Sequence, residues 1–150
     1  MINQLYKSVK NELTSYNRYE SGQLKLIGVD NYQHSDYVVK NKLSFLEWIG
    51  QKDKMPIIKI EGIENIKKVK SHFTRCNNIH LFVHQKTCYS FNWHKDDVNV
   101  YLVVLKGKKI VYVKSKKIVL KSGQGVCIPK GHLHKVFSNK GTWALSVGYK

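Results

Sequence analysis

The 150-residue sequence is poor in proline, cysteine and arginine, and its second half is almost free of acid. With only 2 prolines against 42% hydrophobic and 11% aromatic residues, long disordered or low-complexity segments are excluded. One compact domain that buries roughly 70% of its unfolded surface is expected. Cys76, Cys88 and Cys127 form an odd set without a CxxC spacing. That excludes a disulfide framework and a cysteine-built zinc site and leaves reduced, structural thiols. No apolar run approaches the ~18 to 20 residues of a membrane-spanning helix, and Met1 to Lys10 lacks the apolar core of a signal peptide. A cytoplasmic protein with no membrane partner is therefore expected.

The charge is +16, from 26 basic and 10 acidic residues, and Arg18 and Arg75 are the only arginines. Lysine brings solubility and a general attraction to polyanions, so RNA or ribosome proximity is one reading, but it lacks the planar fork that reads phosphates or bases. The charge is unevenly placed. Beyond Lys70 there are 14 basic residues and 2 acidic ones, Asp96 and Asp97, which sit beside His94. A carboxylate in so basic a segment points to chemistry, the alternative for Asp96 being a salt bridge to neighbouring lysines.

Along the chain, Ile2, Leu5, Tyr6, Val9, Leu13 and Tyr16 recur at helical spacing and predict an amphipathic helix. A second helix is expected around Ser44 to Ile49, a strand at Met55 to Ile60, and a lysine-rich helix from Ile63 to Arg75. From Ile79 onward short alternating runs separated by glycine, lysine, serine and asparagine predict eight strands. They are Ile79 to His84, Cys88 to Trp93, Asn99 to Lys106, Lys109 to Lys114, Ile118 to Leu120, Val126 to Ile128, His132 to Phe137 and Thr142 to Tyr149. Eight short strands suggest a barrel or jelly roll. The expected fold is α+β, mainly β, in a single domain over residues 1–150. Its helical N-terminal part (1–75) packs outside a β-barrel core (76–150).

If His94 and Asp96 lie on a strand, both point to one face about 7 Å apart along the chain, where they can meet one ion. The segment Gly123 to His134, with a glycine turn, a short strand and a Pro129-Lys130-Gly131 turn, delivers His134 as a third ligand. Two histidines and one carboxylate with the remaining positions open is the facial arrangement of non-haem Fe(II) oxygenases.

These residues carry a resemblance. Gly123-x5-Pro129-x-Gly131-x2-His134 is similar to the second conserved box of cupins. His94-x-Asp96-Asp97-Val98-x-Val100-Tyr101-Leu102-x-x-Leu105-x-Gly107-x-Lys109 resembles the core of JmjC-type, cupin-like Fe(II)- and 2-oxoglutarate-dependent oxygenases, the branch that includes ribosomal oxygenases. It covers the catalytic barrel only, roughly Ile79 to Tyr149. The resemblance implies a double-stranded β-helix in which His94, Asp96 and His134 are catalytic and bind Fe(II). It also implies that Lys109 pairs with the distal carboxylate of the co-substrate 2-oxoglutarate, and that the enzyme is a dioxygenase hydroxylating a C–H bond. A protein or peptide side chain is the first substrate expected. A lysine facing into a barrel fits that role, because it would otherwise be an unpaired buried charge; the alternative for Lys109 is a solvated hairpin residue. Phe82 stands where this family often carries a tyrosine toward the co-substrate. Two other functions stay open: a metal-binding cupin that does not use 2-oxoglutarate, and a non-catalytic basic barrel binding nucleic acid or another polyanion. The oligomeric state is not read from the sequence.

Of the other candidates, His132 reads as a turn residue or a neighbour of the site, and Asp97 as a turn or supporting residue. His80 and His84 read as a packed or edge pair rather than a second metal site. Tyr89, Phe91 and Trp93 read as core or as a pocket wall. The lysine clusters at Lys106 to Lys109 and Lys114 to Lys117 read as edge protection or as a rim guiding an anionic substrate.

Overall fold

The computed structural model describes residues 2–15, 25–29, 36–38, 49, 56–90 and 93–149. The first helix, α1 (Ile2–Ser15), carries Leu5, Val9 and Leu13 at four-residue spacing, and all three are buried. The expected helix at Ser44 to Ile49 lies outside the described residues except for Ile49, a turn position.

Two strands, β1 (Lys25–Val29) and β2 (Asp36–Val38), come next, followed by β3 (Ile57–Glu61). Among the described residues the N-terminal half contributes three strands to a sheet, of which β3 is the strand expected at Met55 to Ile60. The helix expected over Ile63 to Arg75 is broken in two. A 3-10 turn at Ile63–Asn65 is followed by Ile66 in extended conformation (φ −74°, ψ 122°), and α2 (Lys67–His72) restarts after it. Buried Ile63, Ile66 and Val69 recur every three residues. That matches the turn of a 3-10 helix and drifts on an α-helix with 3.6 per turn, so the chain restarts to keep all three inside.

The eight strands expected after residue 78 are all present. They are β4 (Asn78–His84), β5 (Cys88–Tyr89), β6 (Asn99–Lys106), β7 (Lys108–Val113), β8 (Lys116–Lys121), β9 (Gly125–Ile128), β10 (His134–Ser138) and β11 (Trp143–Tyr149). Of the span Cys88 to Trp93 only Cys88 and Tyr89 form a strand among the described residues.

The strands form two antiparallel sheets, in the orders β2-β1-β3-β4-β11-β6-β9 and β5-β10-β7-β8. This is the expected double-stranded β-helix of the cupin or jelly-roll type, with the helices outside. Alternation divides the strands between two cores. Val103, Leu105, Leu145, Val147, Leu81 and Val83 face outward under α1 and α2 and join Leu5, Val9 and Leu13. Val100, Leu102, Val104, Val111, Leu120, Ile128, Val136 and Ala144 fill the space between the sheets. Each fully buried aliphatic side chain contributes about 1.5–3 kcal/mol. No described helix is long and apolar enough to cross a membrane.

Gly107 joins β6 to β7 at φ +97°, and a side chain there would meet the Thr142 Oγ1 at 2.5 Å and its Cα at 2.8 Å. Thr142 is locked in place: its hydroxyl donates to the Lys108 carbonyl at 3.0 Å and accepts from the Lys108 amide at 3.1 Å. A left-handed backbone and the absence of a Cβ are both required, which only glycine supplies. This clamp sets the register that turns Lys109 inward.

Candidate metal centre

His94 precedes β6 in an irregular segment between the strands expected at Cys88 to Trp93 and Asn99 to Lys106, so regular strand geometry is not what sets it beside Asp96. Its backbone exchanges two hydrogen bonds with His134, N–H to O=C at 3.0 and 2.9 Å, as an isolated bridge. Lys95 and Asp96 then leave the ladder, and the Asp96 carbonyl accepts the Gly131 N–H at 3.0 Å. Gly131 sits at φ +79°, so the Pro129-Lys130-Gly131 turn is what aims that amide. Backbone pairing therefore brings the two histidine rings to 4.2 Å between centroids and sets Asp96 beside them.

One donor atom from each of His94, Asp96 and His134 lies within 4.8 Å of the others. His134 Nε2 is 3.2 Å from Asp96 Oδ2, and His94 Nε2 is 4.0 Å from Asp96 Oδ1. His134 Nδ1 is 2.9 Å from the His132 carbonyl, which can only accept, so Nδ1 carries the proton. With Nδ1 so held, Nε2 donates to Asp96 when the ring is protonated and is left as a free lone pair when the ring is neutral, the tautomer a metal ligand needs. Burial pushes the Asp96 carboxyl up, but the hydrogen bond from His134 and the charges of His134, His94 and His80 outweigh it and hold it below its ordinary value. Burial likewise pushes His134 down, but Asp96 and the His132 carbonyl bring it above 6.5. The cluster is a candidate cation site: two imidazoles and one carboxylate brought together by backbone pairing. The donor set fits a divalent transition metal.

A cavity of about 430 Å³ opens from this cluster into the barrel, with Phe82, Val100, Leu102, Ile128 and Val136 among its walls. Lys109 also lines it, although the residue is only 2% exposed. Its Nζ lies 5.5 Å from the Phe82 ring centroid, and no carboxylate among the described residues pairs with it. Burial drives its pKa down to about 7, partly offset by Cys88. Ser138, its cross-strand neighbour on the same face, is fully buried, and its Oγ has no hydrogen-bond partner among the described residues. His84 is buried nearby, with Nε2 2.9 Å from Ser90 Oγ and Nδ1 3.6 Å from Cys88 Sγ. Burial, then the charge of Lys109, holds His84 well below 6.5, so it is neutral.

Lys59 and Ser146 also line the cavity and were not singled out in the sequence, and His80, read there with His84 as a packed or edge pair, lines it as well. His80 Nε2 lies 3.6 Å from Glu61 Oε2, Lys59 Nζ lies 3.8 Å from the same oxygen, and Ser146 pairs with His80 across β11 and β4. Lys59 and Glu61 alternate with buried isoleucines on β3, a two-residue pattern that marks an inner face. Other candidates fall elsewhere. Asp97 is an exposed bend and His132 a half-buried turn residue. Trp93 is 45% exposed, and Tyr89 packs on the outer face of the small sheet against Phe137, so neither walls the pocket. Phe91 lies outside the described residues.

No family model and no curated protein matches the chain. Among solved structures, a cupin 2 conserved barrel domain protein from Leptotrichia buccalis is similar at 18% identity and a TM-score of 0.49, over 63% of this chain and 41% of its own. A cupin-like protein from Thermotoga maritima is similar at 17% identity and a TM-score of 0.49, over 62% of this chain and 68% of its own. An RmlC-like cupin from Shewanella frigidimarina is similar at 14% identity and a TM-score of 0.48, over 63% of this chain and 78% of its own. These likenesses concern the barrel alone. Strand order and donor set define the class directly: a cupin-type β-barrel with a candidate metal centre facing its interior.

Proposed function

We propose that the protein is an Fe(II)- and 2-oxoglutarate-dependent oxygenase that hydroxylates a C–H bond, with a protein side chain as the first substrate class. One observation carries this reading: a buried lysine without a carboxylate partner among the described residues lines the same cavity as a two-histidine, one-carboxylate donor set. A cation hidden from water is costly unless an anion meets it. An anionic co-substrate that also reaches the donor set satisfies both ends.

His94, Asp96 and His134 would hold the ion on one face and leave its other positions to small ligands. Bound there with 2-oxoglutarate and dioxygen, iron supplies the oxidising power for hydroxylation while the co-substrate is decarboxylated to succinate and carbon dioxide. The His132 carbonyl keeps the proton on Nδ1 of His134. Lys109 takes the distal carboxylate, whose charge favours the ammonium form of a group poised near pH 7. The orphan Ser138 hydroxyl offers that carboxylate the hydrogen bond that Phe82 lacks. The apolar walls keep water from the reacting carbon.

Anaerobic titration of the Fe(II)-loaded protein with 2-oxoglutarate tests the reading. Metal-dependent binding is expected for the wild type and should be lost in Asp96→Ala and in Lys109→Ala. No binding by folded, iron-loaded wild type overturns it. The Glu61-paired His80 in the same cavity favours one second reading, a metal-dependent cupin that moves protons without 2-oxoglutarate. In that case Lys109→Ala leaves activity intact while His80→Gln and Asp96→Ala abolish it.

A further inference from the structure

The outer face of the small sheet, on the far side from the cavity, is both aromatic and basic. Alternation on β7, β8 and β10 turns Lys109, Val111, Leu120, His134 and Val136 inward, so their neighbours in sequence face out. The register sets Tyr89 of β5 opposite Phe137 of β10, Phe137 opposite Ile110 of β7, and Ile110 opposite Val119 of β8. A parallel row runs Lys135, Tyr112, Lys117, and Lys108 faces Lys121 at the end of the hairpin. The rings touch across strands: Tyr89 to Phe137 at 5.0 Å and Tyr89 to Tyr112 at 6.4 Å between centroids. Lys135 Nζ lies 4.0 Å over the Tyr89 ring, and Val119 is 42% exposed. From Val98 to Lys150 the sequence has 11 lysines and no aspartate or glutamate.

We infer that this face is a binding platform for single-stranded nucleic acid. The inference is independent of the oxygenase reading and of the metal centre, whose residues face the other way. Edge protection needs lysines at the strand rims and does not need Phe137 and Tyr112 packed on either side of Tyr89 between them. Rings clustered across the strands of one sheet face and interleaved with cations, in a stretch of sequence free of acid, match the two demands of a single strand: π-faces for unstacked bases and positive charge along the phosphates. A duplex hides its base faces and gains little from such a surface. Because the cations are lysines, the platform should be tolerant of sequence. An anionic lipid surface or an acidic protein would exploit the lysines without needing the rings, which makes the tyrosines the discriminating residues.

The test is fluorescence anisotropy of a labelled 12-nucleotide oligouridine RNA with the full chain. Neutralising three or four phosphates on a single strand predicts a loss of affinity of roughly 15- to 60-fold between 50 and 200 mM salt. Tyr112→Ala should weaken binding about fivefold or more, the loss of one stacked base. Lys117→Glu with Lys121→Glu, at two exposed positions that tolerate charge, should weaken it tenfold or more and flatten the salt dependence. Lys67→Glu with Lys68→Glu, exposed on α2 against the other sheet, should change it less than twofold. Circular dichroism melts of each variant confirm the fold; if Tyr112→Ala fails to fold, Tyr112→Leu replaces it. No binding at 50 mM salt overturns the inference, as does an equal loss from the α2 variant. So does tighter binding to a duplex or to phosphatidylserine vesicles that the tyrosine variant leaves unchanged.

Discussion

At the level of single residues, the largest electrostatic cost falls on Lys109, whose ammonium is removed from water and brought from 10.5 to about 7. An unfolded chain keeps that proton to about pH 10.4. Between pH 7 and 10 the unfolded state therefore binds more protons, and folding stability rises with pH across that window. Below pH 7 both states are charged and the penalty is complete, on the order of several kcal/mol at about 1.4 kcal/mol per pH unit. Lys109→Met keeps the stem and drops the charge. It is expected to stabilise the ligand-free protein by about 1–3 kcal/mol at pH 7, or roughly 2–12 °C in Tm. The gain should shrink toward pH 10, while 2-oxoglutarate binding is lost. Paired melts at pH 7 and 10 check this, and a variant less stable at both would show that the ammonium is already satisfied within the protein. Residue choice was legible here: a lysine after Gly107 in a strand facing inward invites an anion. The hydroxyl of Ser138 was not, because its value lies in a cross-strand pairing 29 positions away.

At the level of elements, two glycines with similar backbones should respond differently to the same change. Gly107→Ala meets a left-handed φ and the Thr142 Cα at 2.8 Å, which cannot yield without dismantling the double hydrogen bond to Lys108. A loss of about 2–4 kcal/mol is expected from strain and overpacking together. Gly131→Ala has a left-handed φ but open space, and about 1 kcal/mol is expected. The smaller change nonetheless acts on the donor set, because the Gly131 amide holds the Asp96 carbonyl. Urea melts should rank the two variants one way and metal titration, by isothermal calorimetry with Co(II), should show the larger proportional effect for Gly131. The eight barrel strands were legible because alternation and glycine turns are local signals. β1 and β2 are five and three residues long, too short to show a period, and exist by pairing, β1 with β3 and β2 with β1. The departure of Lys95 and Asp96 from strand geometry was equally hidden, since it follows from the Gly131 amide 35 positions away.

At the level of the whole molecule, the large sheet separates two tasks. Its outer face, with α1 and α2, forms a core with no donor residue in it, and its inner face carries His80, Phe82 and Ser146 toward the cavity. Stability and ligand binding should then be separable by mutation. Leu13 is fully buried between α1 and the sheet, and Leu13→Ala is expected to cost about 2–5 kcal/mol. The three donors come from segments the helix core does not contain, so their affinity for metal should not change. A hundredfold excess of Co(II) over its Kd adds about 2.7 kcal/mol, which is roughly 5–11 °C for a chain of this size. The wild type and Leu13→Ala should show the same gain on a lower baseline, because distant sites add. Thermal melts with and without Co(II) decide it: equal increments mean the backbone bridge between His94 and His134 is held by the barrel alone. A smaller increment in the variant would mean that the helix layer is part of what keeps the donors in place.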